Sequence, residues 1–431
     1  MTGKISIGLC GLGTVGTGVI KILQNHQEEI KYKLGCELEV KKILVHTLEK
    51  ARNIEVNAGV LTTEPDDLVS DQEIDIIIEV MGGIESTYEL LEKALHHKKH
   101  IITANKDLMA VYGQKLHKIA KANDCDIFYE ASVAGGIPIL RSLTDGLASD
   151  RIQKMMGIVN GTTNYILTKM TDEQRTFTDV LKEAQELGFA ESDPTADVEG
   201  LDAARKMVLL ANLAFKMDIH LDDVAVTGIT SISQEDIVFA KRLGYVVKLI
   251  GIASMGEGKV EVSVEPTLLP QDHPLALVKN EYNAVYVHGE AVGETMFYGP
   301  GAGSMPTATS VVSDLMEAVK NIRLGISGNS YITPQFTTKL KNDSEKHSRY
   351  FVRLEADDQA GTFQELTNVF TDQNISFAKI LQLPGSAENT AEIVMVTHHT
   401  SKQQLMNSLE SLNNLDVVKR LISYYRVDGE E

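Results

Sequence analysis

The chain has 431 residues, more than one ordinary hydrophobic core organises, so two or three domains are expected. A hydrophobic fraction of 43% and a charged fraction of 23% are those of a soluble globular protein, and a formal net charge of −19 excludes nucleic-acid phosphates and anionic membranes as natural partners. Cys10, Cys36 and Cys125 have no paired spacing, no signal peptide opens the sequence and no apolar run is long enough to span a membrane, so a cytoplasmic protein without a disulfide framework is expected.

The first predicted strand is Ile5 to Leu9, followed by Gly11-Leu12-Gly13-Thr14-Val15-Gly16 and then a helix carrying Val19, Ile20 and Leu23. Gly11 suits the tight turn, Gly13 the approach of a pyrophosphate to the backbone, and Gly16 close helix–strand packing, with the phosphate on the helix N-terminus. Because this GxGxxG follows a strand and opens a helix, it points to a dinucleotide site rather than a plain glycine-rich turn. A strand–helix rhythm continues: strands at 38–46, 75–83, 100–106 and 126–136, with helices at 85–99 and 113–124. Ligands bind beyond the C-terminal ends of such strands, which singles out Gly82, Gly83, Thr103, Asn105, Lys106 and the 130–137 loop. The second strand ends at Val45-His46-Thr47 without the acid that usually holds a free ribose, and Lys50 and Arg52 follow; this favours NADP, with NAD the alternative.

From about 137 to 300 the pattern reads as a substrate domain, with helices near 161–170, 178–187 and 201–215 and strands at 246–254, 259–269 and 284–299. The stretch 186–206 holds Glu186, Glu191, Asp193, Asp197, Glu199 and Asp202 ahead of Lys206, at the mouth of an apolar helix. Gly188 closes the preceding helix, residues 189–200 read as a loop, and Asp202 and Lys206 share a helix face. By spacing alone this is an ordinary surface pair worth about 0.3–0.5 kcal/mol. Yet apolar neighbours penalise the charged lysine and carboxylates restore it, a balance that suits proton exchange near neutral pH. A loop crowded with acids also suits a substrate carrying an ammonium group. Residues 306–322 read as a helix returning to the nucleotide domain, 323–347 as a polar linker, and 348–431 as strand, helix, strand, strand, helix, strand with Asp358-x-x-Gly361 after the first strand.

The run from Ala184 to Lys206 resembles the signature of homoserine dehydrogenases along its whole length. "TANK" (103–106), "EASVAGGIPIL" (130–140), "VNGTTNYIL" (159–167) and "YGPGAGSMPTATSVVSDL" (298–315) resemble the same family in the same order, so the resemblance covers essentially the whole chain. His46 stands where many relatives carry arginine. The resemblance implies a monofunctional, NAD(P)H-dependent enzyme interconverting L-aspartate 4-semialdehyde and L-homoserine, on the route to threonine, methionine and isoleucine. Lys206 would be the general acid and base, and Lys106 would share the proton work or hold substrate near the nicotinamide. Glu191 and Asp202 would hold the substrate's amino and hydroxyl groups, supported by Asp197. Gly188 and Gly303 would join Gly11–Gly16, His46, Lys50, Arg52, Thr103 and Lys106 around the cofactor. A monovalent cation, Na⁺, would take the Glu130 carboxylate and the carbonyls of Val133, Gly135 and Ile137.

The fold implied is α/β: an N-terminal doubly wound Rossmann domain over 1–136, to which helix 304–322 returns; an α+β substrate and dimerisation domain with a mixed sheet over 137–322; a linker over 323–347; and a C-terminal ferredoxin-like βαββαβ module over 348–431. The last resembles an ACT domain, which implies an L-threonine effector, and the family implies a homodimer or homotetramer. Two other readings compete. A phosphorylating semialdehyde dehydrogenase needs a nucleophilic cysteine, and none of the three is placed for attack. A non-catalytic nucleotide-binding amino-acid sensor would not need the set Glu191, Asp202 and Lys206.

Overall fold

Short strands rich in isoleucine build the first sheet. The computed structural model describes residues 3–50, 54–330, 334–385 and 387–429, divided into two units. One unit comprises the chain up to Ile152 with Arg205–Asp222 and Asn283–Thr337; the other comprises Gln153–Ala204, Asp223–Tyr282 and the chain from Thr338.

In the first unit, strands β1 (Lys4–Cys10), β2 (Glu37–Leu44), β3 (Leu61–Thr62), β4 (Ile76–Glu79), β5 (His100–Thr103) and β6 (Ile127–Phe128) are all parallel, in the order β3-β2-β1-β4-β5-β6. The order reverses between β1 and β4, the arrangement of a doubly wound dinucleotide fold. Ile76, Ile77 and Ile78 are fully buried, as expected of a parallel strand covered on both faces. Helix Ser304–Leu324 packs on helix Thr14–Asn25 so closely that a Cβ on Gly18 would lie 2.6 Å from the Ser304 carbonyl. Val19, Ile20, Val311 and Leu315 share the resulting core.

Two expectations need correction. The helix expected from 113 begins at Lys106 and runs to Ala122, because Asn105 caps it: its side chain accepts the Leu108 N–H at 3.1 Å. The strand expected over 126–136 ends at Phe128; a 3₁₀ turn, Glu130–Ser132, follows, and Ala134 and Gly135 both adopt positive φ, which no strand accommodates.

In the second unit, strand Tyr245–Gly256 pairs antiparallel with Lys259–Pro270 over its whole length and with Ile152–Ile158 on its other side. Strand Ile152–Ile158, rich in Met and weak in β-branched residues, has no sequence counterpart in the expected strands. Val418–Val427 then joins Lys259–Pro270 in parallel through Thr267–Arg426 and Leu268–Val427. His347–Asp357, Thr390–Thr397 and Phe377–Pro384 continue the sheet antiparallel, making it mixed. Apart from the two-residue strand Thr400–Ser401, the C-terminal elements occur in the order βαββαβ, with helices Thr362–Asp372 and Lys402–Asn413 over a core of Val352, Leu354, Leu366, Phe370, Leu405 and Leu409. Within the segment expected as a linker, the Lys339 carbonyl and Lys341 N–H bond to Val260.

Lys248 stands inside this unit at 2% exposure, its ammonium donating to Asn164 Oδ1 at 2.9 Å and to the Val278 carbonyl at 2.6 Å. Burial brings its pKa down to about 7. Unfolded, the amine titrates near about 10.4. Between these values the unfolded chain binds the extra proton, so this group's contribution to stability rises with pH. Replacing Lys248 by Met removes that rise. The gap in thermal midpoint, parent minus variant, is therefore expected to widen between pH 7 and about pH 10; a gap independent of pH refutes it.

Candidate functional site

The nucleotide end is built from backbone. Gly11 adopts φ +102°, and its N–H donates to the Leu44 carbonyl at 3.0 Å, continuing the β1–β2 pairing to the start of the turn that leads to the first helix. A Cβ on Gly16 would stand 2.1 Å from the Gly11 carbonyl, whereas one on Gly13 would meet nothing within 4 Å. The space beside Gly13, at the N-cap of helix Thr14–Asn25, is therefore open to a phosphate. A second helix N-terminus lies beside it: Gly303, at φ +119°, caps Ser304–Leu324, and the Ser304 hydroxyl donates to the Thr14 carbonyl at 2.6 Å. The residues present thus fit a bound dinucleotide.

The turn beyond β4 is organised by Glu79, which the sequence reading passed over. It is fully buried; Oε1 accepts the N–H groups of Met81 at 2.7 Å and Gly82 at 3.0 Å, and Oε2 accepts the Thr103 hydroxyl at 2.6 Å. Burial raises its pKa, opposed by these bonds. The signal was present as an acid at the end of the isoleucine run "IIIE". Thr103 is itself fully buried and its hydroxyl is committed to Glu79, so it offers a cofactor only backbone. Asn105 donates to the Gly83 carbonyl at 2.6 Å, fixing the start of the helix on which Lys106 is the first residue. His46 and Lys50 are exposed just past β2; Arg52 lies outside the described residues.

The 130–137 loop is held from three sides. The Glu130 carboxylate accepts the N–H groups of Leu140 at 2.7 Å and Arg141 at 2.8 Å, while its own N–H donates to Asp314 Oδ2 at 2.8 Å. Arg141 pairs with Asp314 at 2.7 Å. Burial raises both carboxyls, Asp314 to about 8 with the nearby Glu130 adding to it. The Gly135 carbonyl accepts the Ser310 hydroxyl at 2.7 Å, and the Ile137 carbonyl accepts the Ile139 N–H at 2.8 Å. Each of these oxygens keeps a second lone pair, so hard oxygen donors for a cation are present. No group of three or more His, Cys, Asp or Glu placed to hold a metal occurs among the described residues.

In the second unit the acidic stretch folds on itself. The Asp193 carboxylate accepts the Thr195 N–H at 3.1 Å just ahead of the short helix Thr195–Val198, and the Thr162 hydroxyl donates to the Phe189 carbonyl at 2.7 Å. The residues expected to form one loop over 189–200 therefore include a turn of helix. Gly188, at φ +77°, leaves helix Phe177–Glu186 with open space where a Cβ would stand. Asn160 brings Asp197 and Asp202 together, donating to Oδ1 of the first at 2.7 Å and Oδ2 of the second at 2.9 Å. Asp202 is buried, Asp197 half-buried and Glu191 exposed.

Helix Leu201–Phe215 carries Asp202 in its first turn and the half-buried Lys206 one turn later on the same face. In the first unit Arg205 pairs with Asp107 at 3.1 Å, tying the turn that bears Lys206 to the turn that bears Lys106. The three cysteines are buried and free, and burial pushes Cys125 up to about 12 and Cys10 higher still. Such thiols are not nucleophiles, which removes the phosphorylating alternative.

Residues 138–316 match the description "Homoserine dehydrogenase" and residues 11–130 match "Homoserine dehydrogenase, NAD binding domain". The homoserine dehydrogenase of Bacillus subtilis is 59% identical over 426 residues, covering 99% of this chain and 98% of its own. A crystal structure of a homoserine dehydrogenase from Thiobacillus denitrificans superposes with a TM-score of 0.93 at 38% identity, covering 99% of both chains. A hyperthermophilic archaeal homoserine dehydrogenase in complex with NADPH superposes at 0.62 with 28% identity, over 74% of this chain and 98% of that one. Among the described residues no helix is long and apolar enough to cross a membrane. The chain that carries a doubly wound nucleotide fold, a paired-carboxylate cluster and a lysine one helical turn along from Asp202 belongs to the homoserine dehydrogenases, oxidoreductases with an NAD(P)-binding domain.

Proposed function

We propose that the chain interconverts L-aspartate 4-semialdehyde and L-homoserine with Lys206 as proton carrier and NADP as the preferred cofactor, NAD being the alternative. The observation that carries this reading is the helix Leu201–Phe215, whose first turns bear both Asp202, bound with Asp197 to Asn160, and Lys206. A bound nicotinamide supplies the hydride to the aldehyde carbon. The oxygen then becomes an alkoxide, and the Lys206 ammonium gives it a proton; in the reverse direction the neutral amine takes that proton back. Glu191 and Asp202 hold the substrate's amino and hydroxyl groups, with Asp197 in support. Lys106, the first residue of its helix, holds substrate or shares the proton work.

The backbone at Gly11, Leu12, Gly13, Thr14, Val15, Gly16, Thr103, Gly188 and Gly303 lines the cofactor, and His46, Lys50 and Arg52 meet a 2′-phosphate. The NADPH named for the archaeal relative supports this choice. A sodium ion at the Glu130 carboxylate and the carbonyls of Val133, Gly135 and Ile137 would bring positive charge to a buried carboxyl and brace the loop. We assign 1–136 with helix 304–322 to cofactor binding, 137–322 to substrate binding and dimerisation, and 348–431, beyond the linker 323–347, to an ACT-type regulatory module sensing L-threonine, in a cytoplasmic homodimer or homotetramer. The βαββαβ order supports the last assignment, as does an NADPH-bound relative that aligns with only 74% of this chain.

The test is absorbance at the reduced-nicotinamide band with L-homoserine and NADP⁺ or NAD⁺, with and without L-threonine. Homoserine-dependent reduction, faster with NADP⁺ and slowed by threonine, is expected; equal efficiency with both cofactors removes the assignment of Lys50 and Arg52. Lys206→Ala should lower kcat by about 10²–10⁴-fold while NADP⁺ affinity stays near that of the parent, and normal turnover would refute the proton role. Gly16→Ala, which drives a Cβ onto the Gly11 carbonyl, should weaken NADP⁺ binding by about tenfold or more in a fluorescence titration.

A further inference from the structure

Along one edge of strand Lys259–Pro270 the sheet changes partner. Ser263 and Val264 pair with Ala225 and Val226, whereas Thr267 and Leu268 pair with Arg426 and Val427. Glu265 and Pro266 fall between the two pairings, and a proline, having no N–H, suits such a gap. Both line a cavity of about 360 Å³ within the second unit, a volume in the range of small-ligand sites. Tyr350, Lys402, Leu405 and Leu421 of the C-terminal module form other parts of its wall. Tyr350 is 5% exposed, and its hydroxyl has no hydrogen-bond partner among the described residues. A buried phenol of this kind costs free energy until something in the cavity meets it. Burial raises its pKa, so it meets a ligand as a neutral hydroxyl. The Lys402 ammonium makes no ion pair among the described residues; Asp343, whose charge it feels, is paired with Lys346 at 2.9 Å. Arg426 is held by Glu261 at 2.6 Å and stands farther from Glu265, at 3.7 Å. The cavity thus offers a cation and a hydroxyl from the module and a carboxylate from the central strand.

The rim of the cavity reaches the acidic stretch. Thr227 and Ser231 border it, and the residues between them pack on the turn that joins Asp197 to Asp202. The Ile229 N–H donates to the Val198 carbonyl at 2.8 Å, the Thr230 hydroxyl donates to Glu199 Oε1 at 3.1 Å, and a Cβ on Gly228 would lie 2.4 Å from the Val198 carbonyl. We infer that this cavity is the effector site of the C-terminal module: it takes a small α-amino acid, carboxylate toward Lys402 and Tyr350 and ammonium toward Glu265, and acts on the substrate acids through Gly228–Thr230. The inference deepens the reading of the module as a sensor of L-threonine and rests on it. The contact runs to the acidic turn, so the effector changes homoserine binding and not the nucleotide end.

The experiment measures L-threonine binding to the full chain by calorimetry, alongside turnover of L-homoserine with NADP⁺. Threonine is expected to raise the KM for L-homoserine while NADP⁺ affinity stays at its value. Tyr350→Phe and Lys402→Gln should each weaken threonine binding about tenfold or more. The phenylalanine variant loses no hydrogen bond within the protein, so its thermal midpoint without threonine should not fall, while the rise that threonine gives the parent should shrink. Lys402→Gln, at a partly exposed position, serves if the buried replacement does not fold. Parental threonine binding in the variant that folds overturns the inference and leaves the sensor reading standing, with threonine bound elsewhere. Inhibition that acts through NADP⁺ affinity alone overturns the route through Gly228–Thr230. If the parent binds no threonine, the sensor reading itself fails, and the assignment of the cavity falls with it.

Discussion

Helix rigidity is the constraint on which the rest depends. Asp202 and Lys206 are separated by four residues of one helix, about 6 Å along its axis. Their relative placement is therefore fixed by backbone hydrogen bonds and not by the packing of flexible chains. Side-chain contacts anchor the start of that helix. Asn160 and Asp197 hold its first turn through Asp202, and Arg205 holds the next turn through Asp107. A carboxylate and a lysine are thus mounted on one rigid rod in fixed register, which suits the proposed roles of Asp202 and Lys206.

The parts legible in the sequence were those whose chemistry is local. Gly11 and Gly16 announce their turn because only glycine fits either place, and the apolar strand 75–83 announces its burial. Lys206 stood out through its neighbours on one helix face. What escaped was of two kinds. One was local but ambiguous: Asn105 reads equally as strand exit or helix cap, and "EASVAGG" reads as a strand until two successive left-handed residues break it. The other was long-range. Asn160 meets Asp197 and Asp202, and Glu130 meets Asp314 across 184 residues; no periodicity encodes such contacts. Glu79 belongs between the two, visible as an anomaly but assignable only once the turn it holds is seen.

The buried ionic groups of the second unit follow one design. Arg353 donates to Asp236 at 2.9 Å and to Glu392 at 2.5 Å, and Ser423 and Tyr425 complete the shell of Asp236. Burial drives the Asp236 carboxyl up, but bonds from Ser423, Arg353 and Ser233 outweigh it and hold it below its usual range. Arg426 is likewise enclosed by Glu261 at 2.6 Å and Asp428 at 3.3 Å. Such pairs add little net stability over apolar packing, yet removing one partner strands a charge. They specify one seating of helix Gln234–Arg242 and of strand Lys259–Pro270 against the C-terminal strands.

The pairing of Val418–Val427 with Lys259–Pro270 has a consequence for how this chain could lose its tail. The final strand is both the last element of the C-terminal module and a neighbour within the central sheet, and the Asp428 N–H extends the pairing to the Leu268 carbonyl. A chain ending before residue 348 would uncover backbone donors and acceptors along that strand and leave Glu261 buried without Arg426. An exposed sheet edge of this kind recruits other chains. Gain or loss of the module in evolution would therefore require remodelling of Lys259–Pro270 itself, so the boundary of the module is written into the sheet that receives it as much as into the linker that precedes it.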